Sequence, residues 1–282
     1  MTVPVVPDVP DRDELAALVA AATEADGVGP LSESTLLGHG GATPLVARVD
    51  GRLAGFAYRD GPSAELVVHP SYRRRGIGTA LATALGDDAR IWAHGRLPAA
   101  VALAAELGYR EERVLRQLRR PLAVPLPDAP LPPGIRIRPF EPADERAWVE
   151  VNARAFATHA EQGAMTIEDL RAREAEPWFD PAGFLLAVRE NGELAGFHWT
   201  KVHPGPPPLG EVYVLGVDPY ARGLGLGPAL TVAGLRHLRD RGLDTVLLYV
   251  DDDNPRARRL YESLGFTLYA VDVQFGRANT VR

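Results

Sequence analysis

Two stretches of this 282-residue chain have the residue types and spacing to hold a phosphate. Arg222 to Leu230 read RGLGLGPAL, behind the apolar run EVYVLGV and the turn DPYA, and open into ALTVAGLRHLRDRG. Earlier, ELVVHPSYRRRGIGTALATAL repeats the pattern. Glycines between a strand and a helix let backbone N–H groups converge on an anion, and the helix dipole adds to the attraction. A dinucleotide fingerprint would open its domain, with an acidic residue about 20 positions later, whereas here strands precede each loop. A Walker loop would end in Gly-Lys-Ser/Thr, and neither does. What remains is R-x-x-G-x-G/A, a cradle for a pyrophosphate. One such loop alone could be a plain strand-to-helix turn.

The elements around the loops also recur. In the first half RDELAALVAAAT reads as an amphipathic helix, LVARV and RLAGFAY as a hairpin about Asp50-Gly51, and AELVV as the strand into the loop. In the second, IRIRPF is a strand, ADERAWVEVNARAF a helix, and FLLAV with LAGFHWTKV a hairpin about Asn191-Gly192. EVYVLGV and its loop follow, then a helix to Arg241, a strand TVLLYV, a helix PRARRLYESL and a strand from Phe266. His69-Pro70 matches Asp218-Pro219, Arg73 matches Arg222, and Gly76 and Gly78 match Gly225 and Gly227. ELGY at 106–109 matches SLGF at 263–266, with the first half shorter between; a shorter helix after the loop accounts for this. Such an internal duplication is stronger evidence than either loop.

Between the halves, AVPLPDAPLPPG holds five prolines in twelve positions, a linker composition. The expected organisation is a first domain at 1–122, a linker at 123–134 and a second domain at 135–282. Hydrophobic residues at 46% and charged residues at 24% are those of an ordinary globular protein. A net charge of −6 argues against a nucleic-acid partner. With no leader-like N-terminus and no membrane-length apolar run, a cytoplasmic protein is expected. The absence of cysteine excludes disulfides, thiolate metal sites and cysteine nucleophiles, and no metal is expected.

Both loops, each after V-x-P and each completed by LGF or LGY, resemble the acetyl-coenzyme A loop of the GNAT acetyltransferases. The resemblance implies an α/β (α+β) protein of two tandem GNAT domains. Each would have a mixed, mostly antiparallel sheet flanked by helices, and a central parallel strand pair that splays at a bulge to admit the pantetheine arm. It implies acetyl-coenzyme A as co-substrate. In the first half the coenzyme positions are Leu66, Val67 and Val68 on the strand, and Arg74, Arg75, Gly76, Ile77, Gly78 and Thr79 on the loop. In the second, Leu215, Gly216 and Val217 lie on the strand, with Gly216 letting the backbone come close. Arg222, Gly223, Leu224, Gly225, Leu226, Gly227 and Pro228 form the loop, Pro228 fitting a first helical turn. Asn254, Pro255, Arg256, Ala257, Arg258 and Arg259 open the later helix.

Acetyl transfer to an amine needs a base for the ammonium proton, a donor for the oxyanion and a proton or hydrogen bond for the departing thiolate. Glu211, at the start of the strand before the second loop, suits the first task, acting through a water. Tyr261 falls where GNAT enzymes place a tyrosine beside the coenzyme sulfur. Their first-half counterparts are Pro62 and Ala104, and that of Asn254 is Leu97. The first half therefore reads as non-catalytic. By spacing alone Glu211 could equally be a surface charge and Tyr261 a core aromatic.

Almost the whole chain is similar to the mycothiol synthase family, tandem GNAT enzymes of actinobacteria. GFHWTKVHP with GEVYVLGVDP carries this most specifically, supported by WAHG, AEQG, WFDP, LLYV and LYESLGF. The resemblance implies acetylation of the cysteinyl amine of cysteinyl-glucosaminyl-inositol. It assigns Glu211 as general base, Tyr261 as general acid, and Glu33, Glu161, Lys201, Glu211 and Tyr249 as substrate contacts. Ala160 departs from the family's more usual proline. A GNAT enzyme for another amine and a non-catalytic coenzyme A sensor are the alternatives. A monomer is expected, since the tandem pair already supplies the pseudo-dimer.

Overall fold

The structure, a computed structural model, describes residues 3–37 and 42–277. The chain divides into two compact units that are not uninterrupted stretches of sequence. The first comprises Met1–Arg116, Asp251–Asp253 and Ala270–Arg282, and the second Gln117–Val250 and Asn254–Tyr269. The proline-rich segment belongs to the second.

In the first unit the order is β1 (Val5–Pro7), α1 (Arg12–Asp26), α2 (Glu33–Leu37), β2 (Leu45–Val49), β3 (Arg52–Asp60), β4 (Ser63–Val68), α3 (Ile77–Leu85), β5 (Arg90–Ala93) and α4 (Pro98–Glu106). Strand β6 (Tyr109–Pro121) then leads to the second unit. That unit continues with β7 (Ile135–Pro139), α5 (Glu145–Ala155), α6 (Ala160–Gly163), α7 (Ile167–Glu174), β8 (Phe184–Arg189), β9 (Leu194–His203), β10 (Leu209–Val217), α8 (Leu226–Asp240), β11 (Thr245–Asp251) and α9 (Pro255–Ser263). The last strand, β12 (Thr267–Arg277), passes back into the first unit.

Turn chemistry sets these boundaries. Asp50 and Gly51, at φ 49° and 78°, take the left-handed geometry that matches the twist of a two-residue hairpin. Asp11 accepts the N–H of Asp13 at the start of α1, and Gly27 ends it at φ 73°.

The strands of the two units share a plan. In the first unit β1, β2, β3 and β4 are antiparallel neighbours and β5 joins β4 in parallel. Residues Val273, Gln274 and Phe275 of β12 then pair with β5. In the second unit β7, β8, β9 and β10 are antiparallel and β11 joins β10 in parallel. The parallel ladders are short: β4–β5 ends at Glu65↔Trp92 and β10–β11 at Glu211↔Leu247. Leu66–Val68 and the residues of β10 beyond Glu211 thus have an open edge. The expected bulge occurs in one unit only. The β9–β10 register shifts between Val212 and Val214, leaving Tyr213 as the extra residue, whereas β3–β4 pairs without a shift.

The second unit packs on both sheet faces, which explains why β8 is buried along nearly its whole length. One face carries Trp148, Phe184, Phe197 and Trp199, with Phe184 stacked on Trp199 at 4.3 Å. The other carries Val212, Leu235, Leu238, Leu248 and Tyr261. Arg120, 1% exposed, donates to the carbonyls of Leu264, Pro121, Val124 and Pro125 at 2.6–3.0 Å. It thereby fixes the start of the proline-rich segment, where few N–H groups are available to do so. The helix after the loop is nine residues in the first unit and fifteen in the second, as the shortened first half requires.

Candidate functional site

The two glycine loops have the same backbone. Each begins with a residue whose side chain accepts an N–H two positions on, His69 from Ser71 and Asp218 from Tyr220, then makes one 3₁₀ turn. Each reaches its helix through a left-handed glycine, Gly76 at φ 81° and Gly225 at φ 80°. Two positions earlier Gly223 is at φ 85°, and Arg74 holds the same region at φ 61°. No side chain caps α3 or α8, so their first N–H groups remain to meet an anion. Pro228 lies in the first turn of α8, where its missing donor costs nothing.

In the first unit the open edge of β4 borders a cavity of about 530 Å³. Leu66, Val67 and Val68 line it, as do Arg74, Gly76, Ile77, Gly78 and Thr79. Apolar side chains of α4, among them Leu103 and Ala104, close it. A Cβ on Gly78 would meet Leu103 at 3.1 Å, so this glycine keeps helix and wall close. Arg75 is not among the lining residues; its guanidinium lies 5.4 Å from the centre of the Tyr72 ring. Arg73 lines the cavity with its charge paired to Asp26 at 2.7 Å. An extended, mainly apolar arm ending in a pyrophosphate fits this edge, cavity and helix N-terminus.

In the second unit Leu215, Gly216 and Val217 lie on β10 past the end of its ladder with β11. The reason for Gly216 differs from expectation. A Cβ there would sit 2.6 Å from the Phe197 ring, so the missing side chain serves the aromatic core. Leu226 and Gly227 open α8, with Arg222, Gly223 and Leu224 before it. Asn254 caps α9, its Oδ1 accepting from Ala257 N at 3.1 Å. Pro255 takes the first helical position, followed by Arg256, Ala257, Arg258 and Arg259.

Glu211 is the third residue of β10 rather than its first, and is buried at 7% exposure. It lies directly across from Lys201 on β9. Its Oε2 is 2.7 Å from Nε2 of His203, a residue to which the sequence assigned no role. The Lys201 ammonium sits 4.8 Å from the centre of the Trp178 ring and 5.7 Å from that of Tyr213. Arg173 Nε donates to the Tyr213 hydroxyl at 3.2 Å. Carboxylate, imidazole, ammonium and aromatic walls thus share one face of the β9–β10 hairpin. The first unit lacks this level of structure: its β3–β4 hairpin closes with Asp60↔Ser63, and β4 has six residues against nine in β10.

Tyr261 lies on α9 with 7% exposure, against Phe266 at 5.7 Å. Burial pushes its pKa up to about 12. Val212 belongs to the cluster that holds Tyr261, and Glu211 points the other way along the pleat. The Glu211 carboxylate and the Tyr261 phenol therefore lie on opposite faces of the sheet. Tyr249 on β11 is 43% exposed, and its hydroxyl accepts from Gln117 Nε2 at 2.6 Å. Glu33 begins α2 and Glu161 lies in α6, but both side chains are outside the described residues. The signal for His203 was available in GFHWTKVHP, two positions after Lys201, but its meaning depends on the hairpin register.

Among the described residues no group of three or more His, Cys, Asp or Glu could hold a metal ion. No described helix is long and apolar enough to cross a membrane.

Residues 147–266 match the acetyltransferase (GNAT) family and residues 40–111 an acetyltransferase (GNAT) domain. A GCN5-related N-acetyltransferase from Sphaerobacter thermophilus superposes with a TM-score of 0.79 at 27% identity, over 97% of this chain and 96% of that one. A tandem GNAT protein from the clavulanic acid biosynthesis pathway shares the fold, with a TM-score of 0.69 at 22% identity, over 97% and 98% of the two chains. Fold, loops and paired matches define a tandem GNAT acetyltransferase, an acetyl-coenzyme A-dependent enzyme. Mycothiol acetyltransferase from Thermobispora bispora is 57% identical over 95% of this chain and 96% of its own. That from Thermomonospora curvata is 58% identical over 94% and 93%. The chain belongs to the mycothiol acetyltransferase family.

Proposed function

We propose that the protein moves the acetyl group of acetyl-coenzyme A onto the cysteinyl amine of cysteinyl-glucosaminyl-inositol, the last step of mycothiol formation. The observation that carries this is identity of 57% and 58%, over nearly the full length, with relatives named for that product. The site geometry supports it. Acetyl-coenzyme A supplies a thioester carbonyl when bound. Glu211 receives the proton of the substrate ammonium, whose ordinary pKa of about 7.7 to 8.0 makes the transfer undemanding. Backbone N–H groups on the open edge of β10 offer the oxyanion donor. Tyr261 gives the thiolate a hydrogen bond.

In this reading Leu215–Val217, Arg222–Pro228 and Asn254–Arg259 hold the reacting coenzyme. Leu66–Val68 and Arg74–Thr79 hold a second coenzyme that does not react, in a first half that does no chemistry. Glu33, Glu161, Lys201 and Tyr249 contact the pseudo-disaccharide, carboxylates suiting its hydroxyls and ammonium. The enzyme works as a cytoplasmic monomer. The test is incubation with acetyl-coenzyme A and cysteinyl-glucosaminyl-inositol, followed by mass spectrometry. Gain of one acetyl group on nitrogen is expected. Absence of product above the enzyme-free rate would refute the assignment.

A further inference from the structure

The proton taken from the substrate has to leave Glu211 again. An ammonium that becomes an amide loses two protons: the departing sulfur keeps one, and the other passes to bulk solvent in each turnover. The Glu211 side chain is only 10% exposed, so a protonated carboxyl there has little direct contact with water. His203, at the end of β9, is 27% exposed and its Nε2 is 2.7 Å from Glu211 Oε2. A histidine ring can hold a proton on either nitrogen. Among the described residues, titratable side chains on this face also come from Lys201 on β9, Tyr213 on β10, Tyr249 on β11 and Arg173 on α7.

We propose that His203 is the proton-relay partner of Glu211: the buried carboxylate collects the substrate proton and the imidazole delivers it to solvent. The proposal rests on the assignment of Glu211 as base. To accept, the neutral imidazole holds its proton on Nδ1 and turns its Nε2 lone pair toward Glu211. The carboxyl passes the substrate proton to Nε2, leaving carboxylate and imidazolium; loss of the Nδ1 proton to water, then solvent exchange of the remaining proton from Nε2 to Nδ1, restores the start. His203 is thus a positioning residue that acts through Glu211. The first half, which ends its hairpin before this level, has neither partner.

The test uses His203→Gln and His203→Ala in the full-length enzyme, each checked by thermal melting. Glutamine can still donate to Glu211 but cannot carry a proton. We expect His203→Gln to melt like the wild type and to lose kcat by roughly a hundredfold, the size of a general acid–base contribution. KM for acetyl-coenzyme A should change less than about twofold, since the loop is untouched. Added imidazole should restore turnover of His203→Ala in proportion to its concentration and leave Glu211→Gln unrescued. Wild-type kcat in His203→Gln, or a His203→Ala variant that imidazole does not rescue, would overturn the relay. Any amine that the wild type accepts can serve, so a wrong acceptor assignment would show in the wild type and leave this test intact.

Discussion

Asp272, in the last strand of the chain, lies 3.4 Å from Nδ1 of His94, whose Nε2 is 2.8 Å from Glu65. Burial works against a charged imidazole here, but the hydrogen bonds it donates to Asp272 and Glu65 outweigh it and raise the pKa from 6.5 to about 9. The same pair ties two distant segments. Glu65 also accepts from the backbone N–H and hydroxyl of Ser32, and Asp272 from Gly95 N.

A pKa raised in the folded state adds stability that is complete below pH 6.5 and fades as pH rises through about 9. The contribution is on the order of 3 kcal/mol at most. Thermal melts of the wild type should therefore fall across this alkaline window. His94→Gln should start lower and show a flatter profile. Parallel curves for the two proteins would contradict the ionised clasp.

Glu211→Gln should keep the hairpin, since the amide can still meet His203, while losing the ability to take a proton. A fall in kcat of roughly a hundredfold or more is expected, with acetyl-coenzyme A affinity nearly unchanged. Steady-state kinetics with direct titration of the coenzyme would separate the two effects. Wild-type-like turnover would remove Glu211 from the mechanism.

With its pKa at about 12, Tyr261 is a poor source of a proton for a thiolate whose ordinary value is about 8.5. Full transfer would be uphill by about 5 kcal/mol. A hydrogen bond to the thiolate is worth about 1.5 to 3 kcal/mol, so Tyr261→Phe should lower kcat by roughly 10- to 100-fold. Its ring contact with Phe266 survives, so the melting temperature should hold. A loss of several thousandfold would point to obligatory proton donation instead.

Gly216→Ala would put a methyl group 2.6 Å from the Phe197 ring. Overpacking of this kind costs roughly 1 to 3 kcal/mol, measurable as a lowered denaturant midpoint. Phe197→Leu should recover part of that loss when combined with Gly216→Ala. If the double variant is no more stable than Gly216→Ala alone, ring contact is not the reason for the glycine.

Local backbone demands made the loops legible. Gly76 and Gly225 adopt a conformation that other residues avoid, and His69 and Asp218 cap the turns before them, so each copy carries its own geometry in a few letters. Glu211 and Tyr261 stood out because their first-half counterparts lack the chemistry. The His203 partnership depends on how β9 and β10 register across the segment 204–208, which no local pattern specifies. The His94 clasp is harder still, since Asp272 reaches it only because β12 pairs with β5. Gly216 was visible as a special position, but its cause lies in an aromatic ring on the neighbouring strand.

The difference between six strand residues in β4 and nine in β10 has a consequence for how such proteins diverge. On the proposed assignment, the Glu211–His203 pair occupies a hairpin tip, while the coenzyme-binding edge and loop begin several residues further along the same strand. A duplicated copy can therefore be retired from turnover by trimming one turn, with its ligand cradle and core undisturbed. Conversely, lengthening the Asp60–Ser63 turn of the first half is the smallest edit by which that copy could acquire an acceptor site of its own.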